Sequence, residues 1–234
     1  MGFAIMAASR LELAPLTTRL KTAGEWLRLP SGDFAALCGI GAPEASHIAA
    51  QLLDQGVWGL VSWGCATGLE ASLRPGTLLL PRTLATGHAA CLRVDAAWHR
   101  AAIRALAPSL PIRTAPIADA ESLLTSPAQK EALFQRTGGI AADMESAMLA
   151  RIAQECHMPF LVVRAVADTA VHTLPRGVPI GIDACGNLAV GRIARHALLR
   201  PADWPQLARL GLAFRRARQA LGYAASRMPH AFTP

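Results

Sequence analysis

Two short segments hold the residue types that could do chemistry. Ala142-Asp143-Met144-Glu145-Ser146 puts two carboxylates within one helical turn. Downstream, Pro159-Phe160-Leu161-Val162-Val163-Arg164-Ala165-Val166-Ala167-Asp168 is a nearly pure apolar run that ends in an isolated Asp. Such a run reads as a buried strand. A carboxylate where a buried strand stops is costly unless it is paired, hydrogen-bonded or protonated. Protonation would make Asp168 a general acid near neutral pH. Its plainer reading is a helix N-cap. Glu145 reads equally as a solvated first-turn residue favoured by the helix dipole, Met144 as a core side chain, and Asp143 as the helix cap.

Alternating apolar runs and helical stretches must position these residues. The pattern predicts strands over residues 3–8, 34–40, 57–63, 76–84, 112–118 and 159–167. It predicts helices over 12–21, 43–55, 95–107 and 127–137, and another starting at Asp143. Apolar strands separated by helices predict an α/β layer fold around a mostly buried sheet. From Leu188 onward, apolar residues recur at helical spacing among arginines, and Pro201 and Pro205 are expected to break this stretch into at least two helices. Residues 1–183 therefore read as a catalytic domain and 184–234 as a basic amphipathic helical tail.

With 234 residues, the chain can bury a substantial core. Hydrophobic content is 52% and mean hydropathy +0.30, yet no apolar run reaches the roughly 18–20 residues of a membrane span. The short apolar start at residues 2–8 reads as a strand, not a signal peptide. Five scattered cysteines without a C-x-x-C pair fit a reducing cytosol better than a disulfide framework or zinc knuckle. The seven histidines show no ligand spacing, which argues against a metal site. Cys65 with His88 as a nucleophile pair has nothing to fix its geometry. Between Leu188 and Arg227 stand eight Arg and one Asp, so the net charge of +7 is concentrated there. A basic amphipathic tail with Trp204 and Tyr223 can lie on an anionic bilayer. It can equally pack on the domain with its Arg face in water. No nucleic-acid motif accompanies it.

Taken in order, the motifs resemble the nucleoside phosphorylase and methylthioadenosine nucleosidase superfamily. The resemblance rests on Ala142–Ser146 with the Val163–Asp168 run, on Ile5-Met6-Ala7-Ala8 with Glu12, on Gly39-Ile40-Gly41, and on Gly64-Cys65-Ala66-Thr67-Gly68-Leu69 followed by Leu73-Arg74-Pro75-Gly76. It covers residues 3 to 170. The Arg-rich, Leu-rich tail, with Leu199-Arg200-Pro201 beyond Leu174-Pro175, resembles the hopanoid-associated phosphorylases.

The resemblance implies a single-domain nucleoside phosphorylase fold, a mixed sheet flanked by helices with a C-terminal helical tail. It implies cleavage of the N-glycosidic bond of an adenine nucleoside with a bulky 5′ substituent. In that branch this is adenosylhopane, giving adenine and ribosylhopane or its 1-phosphate. Asp168 would protonate the purine, Glu145 would bind the ribose hydroxyls, and Glu12 with Arg164 would hold the nucleophile. Met144, Cys65, Ala66, Thr67, Leu123 and Leu124 would line the substrate site. Four departures stand out: Cys65 replaces a hydroxyl, Leu123 replaces a Phe that stacks on the purine, Ala167 replaces a Ser, and Thr67 replaces a Gly in the turn under the substrate. No organic cofactor or metal is implied. Phosphate is an open co-substrate, with Arg10, Arg74, Arg82 and Arg164 available to hold it. Self-association, a cytoplasmic location and peripheral contact with the inner membrane face complete the expectation. The competing readings are a methylthioadenosine or adenosylhomocysteine nucleosidase, a general purine nucleoside phosphorylase, and a lipid-binding protein on this scaffold.

Overall fold

The computed structural model describes residues 2–87, 91–106, 110–182 and 189–231. His88 and the 183/184 boundary of the expected tail lie outside them. The strands are β1 (Ala4–Ala7), β2 (Trp26–Arg28), β3 (Phe34–Leu37), β4 (Leu60–Gly68), β5 (Leu78–Leu79), β6 (Thr83–Ala85), β7 (Cys91–Arg93), β8 (Ile112–Arg113), β9 (Ile117–Asp119), β10 (Ala141–Asp143) and β11 (Phe160–Asp168). The helices are α1 (Arg10–Leu13), α2 (Ala45–Asp54), α3 (Ala96–Leu106), α4 (Pro127–Thr137), α5 (Ser146–Glu155), α6 (Gly177–Ile180), α7 (Val190–Leu199) and α8 (Trp204–Ala231).

All eleven strands among the described residues belong to one mixed sheet, as expected of an α/β layer fold. Its spine is the pair of nine-residue strands β4 and β11, parallel and in register from Leu60↔Phe160 to Ala66↔Val166. β4 also pairs parallel with β1 and, at its far end, antiparallel with β10. On one face, α2 and α5 bury Ile48, Leu52, Leu149 and Ile152 in a cluster with Val162 and Val166. On the other, Trp98, Ala102 and Leu106 of α3 meet Ala217, Leu221 and Ala224 of α8 over Val61, Trp63, Leu161 and Val163. Both faces of β11 are therefore covered, and all nine of its residues are buried, which is why all are apolar except Arg164 and Asp168, both of them ion-paired.

Several expected boundaries are corrected. The helix expected over 12–21 is only the single turn of α1. The strand expected over 57–63 begins at Leu60 and runs through Gly64 to Gly68. The strands expected over 76–84 and 112–118 are each split, into β5 and β6 and into β8 and β9. The helix expected at Asp143 begins at Ser146, behind the short strand β10. β2 and β7 were not expected. Pro205 does not interrupt the tail, because it sits in the first turn of α8, where its missing N–H costs nothing. No helix among the described residues is long and apolar enough to cross a membrane.

Candidate active site

The carboxyl ends of β1, β4, β9, β10 and β11 converge on one cavity of about 380 Å³. In an α/β sheet this is the crevice where ligands bind. Two walls face each other. The strand-end wall carries Ser9, Glu12, Cys65, Ala66, Thr67, Met144, Glu145 and Asp168. The helical wall carries Leu174, Val178, Ile182, Val190, Ile193, Leu207, Leu210 and Phe214. Its described lining residues are all apolar, and it is built from α6, α7, α8 and the segment before them. Four Asp or Glu side chains line the cavity, and among the described lining residues none is Lys or Arg.

Arg164, in mid-β11, is wholly buried and organises the acidic wall from behind. Its Nε lies 2.7 Å from Asp143 Oδ2, an ion pair rather than a well-aligned hydrogen bond. Its Nη2 lies 3.2 Å from Glu145 Oε2 and donates to Ser62 Oγ at 2.8 Å. Its Nη1 donates to the Cys65 carbonyl at 3.2 Å. Burial works against its charge, and Asp143, Glu145 and Glu12 outweigh that by holding the guanidinium ionised. Glu145 is the N-cap of α5, but its side chain makes no capping hydrogen bond. Its Oε1 accepts the Gly41 N–H at 3.0 Å, and Gly41 has φ +79, a conformation that favours glycine. Asp143 accepts the Ser146 N–H at 3.0 Å, so it does serve the start of α5 as expected.

Glu12 sits at the end of α1. Its Oε1 accepts the Cys65 N–H at 2.7 Å, and its Oε2 accepts the Ser9 N–H and O–H at 2.9 and 2.8 Å. Gly64 permits this arrangement. A Cβ there would lie 2.5 Å from Glu12 Oε1 and 2.6 Å from Arg164 Nη1. The Cys65 thiol is pushed well up by burial and by the Glu12 charge, so it stays protonated and is no nucleophile.

Asp168 closes β11. The register of β11 on β4 shifts between Val166 and Asp168, so that Asp168 pairs with Thr67. Such an irregularity re-aims a side chain. Of the three ways to accommodate this carboxylate, the structure uses pairing and hydrogen bonding. Oδ2 lies 2.6 Å from the buried ammonium of Lys130, and Oδ1 accepts the Thr169 N–H at 2.9 Å.

Of the residues singled out in the sequence, Asp168, Glu12, Glu145, Met144, Cys65, Ala66, Thr67, Leu123 and Leu124 all line this cavity. Arg164 does not. Its donors are directed at Asp143, Glu145, Ser62 and the Cys65 carbonyl. Arg10 and Arg82 are exposed and border no described cavity, whereas Arg74 borders a neighbouring one with Arg209 and Arg216. His172 contributes its carbonyl to Lys130, and its ring pairs with Thr169 Oγ1 at 2.7 Å. The sequence reading missed Lys130, Ser9 and the helical wall. Ser9 was detectable as half of a capping box, Ser-x-x-Glu. No group of three or more potential metal ligands occurs among the described residues.

A strand-end cavity with acidic side chains on a twisted mixed sheet defines an α/β enzyme architecture. The family model for the phosphorylase superfamily matches residues 33–198. The chain belongs to that superfamily. No curated protein matches it. Among solved structures it resembles the 5′-methylthioadenosine/S-adenosylhomocysteine nucleosidase of Helicobacter pylori, at 16% identity and TM-score 0.68, covering 99% of this chain and 97% of that one. It also resembles the futalosine hydrolase of the same organism, at 16% identity and TM-score 0.67, covering 97% of each chain. The nucleosidase of Streptococcus pneumoniae gives 18% identity and TM-score 0.65, covering 97% of this chain and 100% of that one. At such identities the likeness establishes the fold.

Two outcomes follow from the geometry. Gly64→Ala forces Glu12 and Arg164 apart and is expected to lower stability by roughly 1–3 kcal/mol in denaturant unfolding, as overpacking does. Burial pushes the Glu145 carboxyl up to about 7; Arg164 pulls it back, Asp143 and Glu12 push it further, and the Gly41 N–H pulls it back slightly. The native state therefore keeps this proton to higher pH than the unfolded chain does. The group's contribution to stability is complete below the unfolded value of 4.5 and declines as pH rises towards 7. The unfolding free energy of wild type relative to Glu145→Gln should fall across that window, by something on the order of 2 kcal/mol. A flat difference would place the titration elsewhere.

Proposed function

We propose that the chain hydrolyses the N-glycosidic bond of an adenine nucleoside whose 5′ group is large and apolar. The observation that carries this reading is the two-walled cavity: among the described residues, four carboxylates and no Lys or Arg at the strand ends, with an apolar helical wall. Breaking a purine N-glycosidic bond leaves positive charge on the ribose and negative charge on the base. Asp168, which is paired with Lys130, takes up a proton from solvent and delivers it to purine N7. Glu145 accepts hydrogen bonds from the ribose hydroxyls and stabilises the cationic sugar. Glu12, already an acceptor for Ser9 and Cys65, orients the attacking water. A phosphate dianion would need cations that this wall lacks, which favours water over phosphate. The nucleosidases and the futalosine hydrolase that share the fold are named for hydrolytic reactions, which agrees.

The apolar wall is where a 5′ substituent leaves the ribose. Its eight aliphatic and aromatic side chains favour a hydrocarbon over the charged amino-acid group of adenosylhomocysteine. Adenosylhopane, yielding adenine and ribosylhopane in hopanoid biosynthesis, suits that wall. A methylthioadenosine nucleosidase is the reading that the structural neighbours favour.

Contact with a membrane is part of this reading. Nine large apolar residues are exposed among the described residues, and seven lie between 171 and 212, around the helical wall. Leu198 and Leu199 are the most open, at 74% and 77%. All eight tail arginines are exposed, and none has an ion-pair partner among the described residues. A second copy on this face would set arginines against arginines, whereas anionic lipid complements both features.

Adenine release should be measured from adenosylhopane and methylthioadenosine, each with and without phosphate. Phosphate-independent release, faster from adenosylhopane, is expected. A strict phosphate requirement would overturn hydrolysis, and faster methylthioadenosine turnover would overturn the 5′ preference. Asp168→Asn should lose about 10²–10⁴-fold in turnover. In co-sedimentation, the full chain should bind phosphatidylglycerol-containing vesicles and not pure phosphatidylcholine. The Leu198→Glu, Leu199→Glu double variant should bind them at least about tenfold more weakly. Equal partitioning of variant and wild type would remove the membrane from the account.

A further inference from the structure

We infer that Lys130 is a positioning residue for this reaction, acting through Asp168 to fix the proton donor and to receive the charge it acquires. The inference rests on the reading of Asp168 as that donor. Lys130 lies on α4 and is completely buried. Its ammonium donates to Asp168 Oδ2 at 2.6 Å, to the Thr169 carbonyl at 2.9 Å and to the His172 carbonyl at 2.7 Å. An ammonium has three N–H donors, and all three are used on one turn, the turn that follows Asp168.

That turn is tied to α4 a second time, where the Leu174 N–H donates to the Thr125 carbonyl at 2.9 Å. Ser126 caps α4, and Gln129 Oε1 accepts the Thr125 N–H at 2.8 Å and the Ser126 N–H at 3.1 Å. The segment entering α4 carries Ser122, Leu123 and Leu124 on the cavity wall. Lys130 thus sets the distance between the donor and the opposite side of the base site. Stability alone is a weak reason for this pair, because apolar replacements of buried ion pairs are often neutral or stabilising.

Its place beside the reacting proton supplies a reason. Asp168 first takes up a proton from solvent; in the chemical step that O–H bond breaks and an N–H bond forms at purine N7. The electron pair of the glycosidic bond passes into the purine, and Lys130 keeps its protons. Negative charge therefore appears on Asp168, 2.6 Å from an ammonium already in place. Fixed charges aimed at developing charge lower a barrier without reorganisation.

The test compares two leaving groups in the full-length protein. Adenine needs a proton to depart; 4-nitrophenolate does not. Both would be carried on ribose with the same 5′-alkylthio group. Lys130→Met is expected to lower kcat for adenine release by about a hundredfold, with KM within about threefold. Nitrophenolate release should stay within about threefold of wild type. Lys130→Arg keeps the charge but displaces it, and should show a smaller loss confined to adenine. Equal losses on both leaving groups in either variant, or none on adenine, would overturn the inference. Asp168→Asn in the same assay separates the two readings. If it releases adenine normally, the functional reading falls. If it is selectively inactive while Lys130→Met is not, only the role of Lys130 falls.

Discussion

One buried guanidinium holds the site together. Arg164 stands on the central strand, sealed from solvent, and reaches Asp143, Glu145, Ser62 and the Cys65 carbonyl. These groups come from β10, the start of α5 and two points along β4. Without that cation, two carboxylates would share a dry site with no compensation. With it, they can be held within reach of a ligand at a fixed spacing. The cost of burying the group is offset by its ion pairs with Asp143 and Glu145 and its hydrogen bonds to Ser62 and the Cys65 carbonyl.

The electrostatic design has two layers. Cations stand behind the wall, Arg164 behind Asp143 and Glu145, and Lys130 behind Asp168. Anions face the cavity. A ligand therefore meets acceptors and not donors, which suits hydroxyl groups and a sugar that turns cationic. On the other side the described lining residues offer it hydrocarbon, so its orientation is imposed by polarity before any specific contact forms.

How much of this was legible in the sequence depended on whether the signal was local. α4 is bounded as the residues predict, because Ser126, Pro127 and Gly138 each carry a local instruction. β11 is equally plain, since a strand covered on both faces is apolar at every position but Arg164 and Asp168. Nine of ten proposed site residues reach the same cavity, because motif spacing reports strand ends. The failures are tertiary. Gly64 reads as a strand terminator, yet the strand passes through it to make room for Glu12 and Arg164. α1 stops after one turn, where Leu13 accepts from Leu16 and Thr17 and Pro15 has no N–H to give. Lys130 looks like any surface lysine between Gln129 and Glu131, and only the packing of α4 on the turn after β11 buries it.

The last helix joins two duties in one rod. Its first half, through Leu207, Leu210 and Phe214, faces the cavity, while Ala217, Leu221 and Ala224 of its second half are fully enclosed beneath the sheet. Drift in the first half can reshape what enters without touching the foundations. Drift in the second half would loosen the whole molecule. Divergence among descendants of this chain should therefore be steeply graded along a single helix, free at its beginning and frozen towards its end.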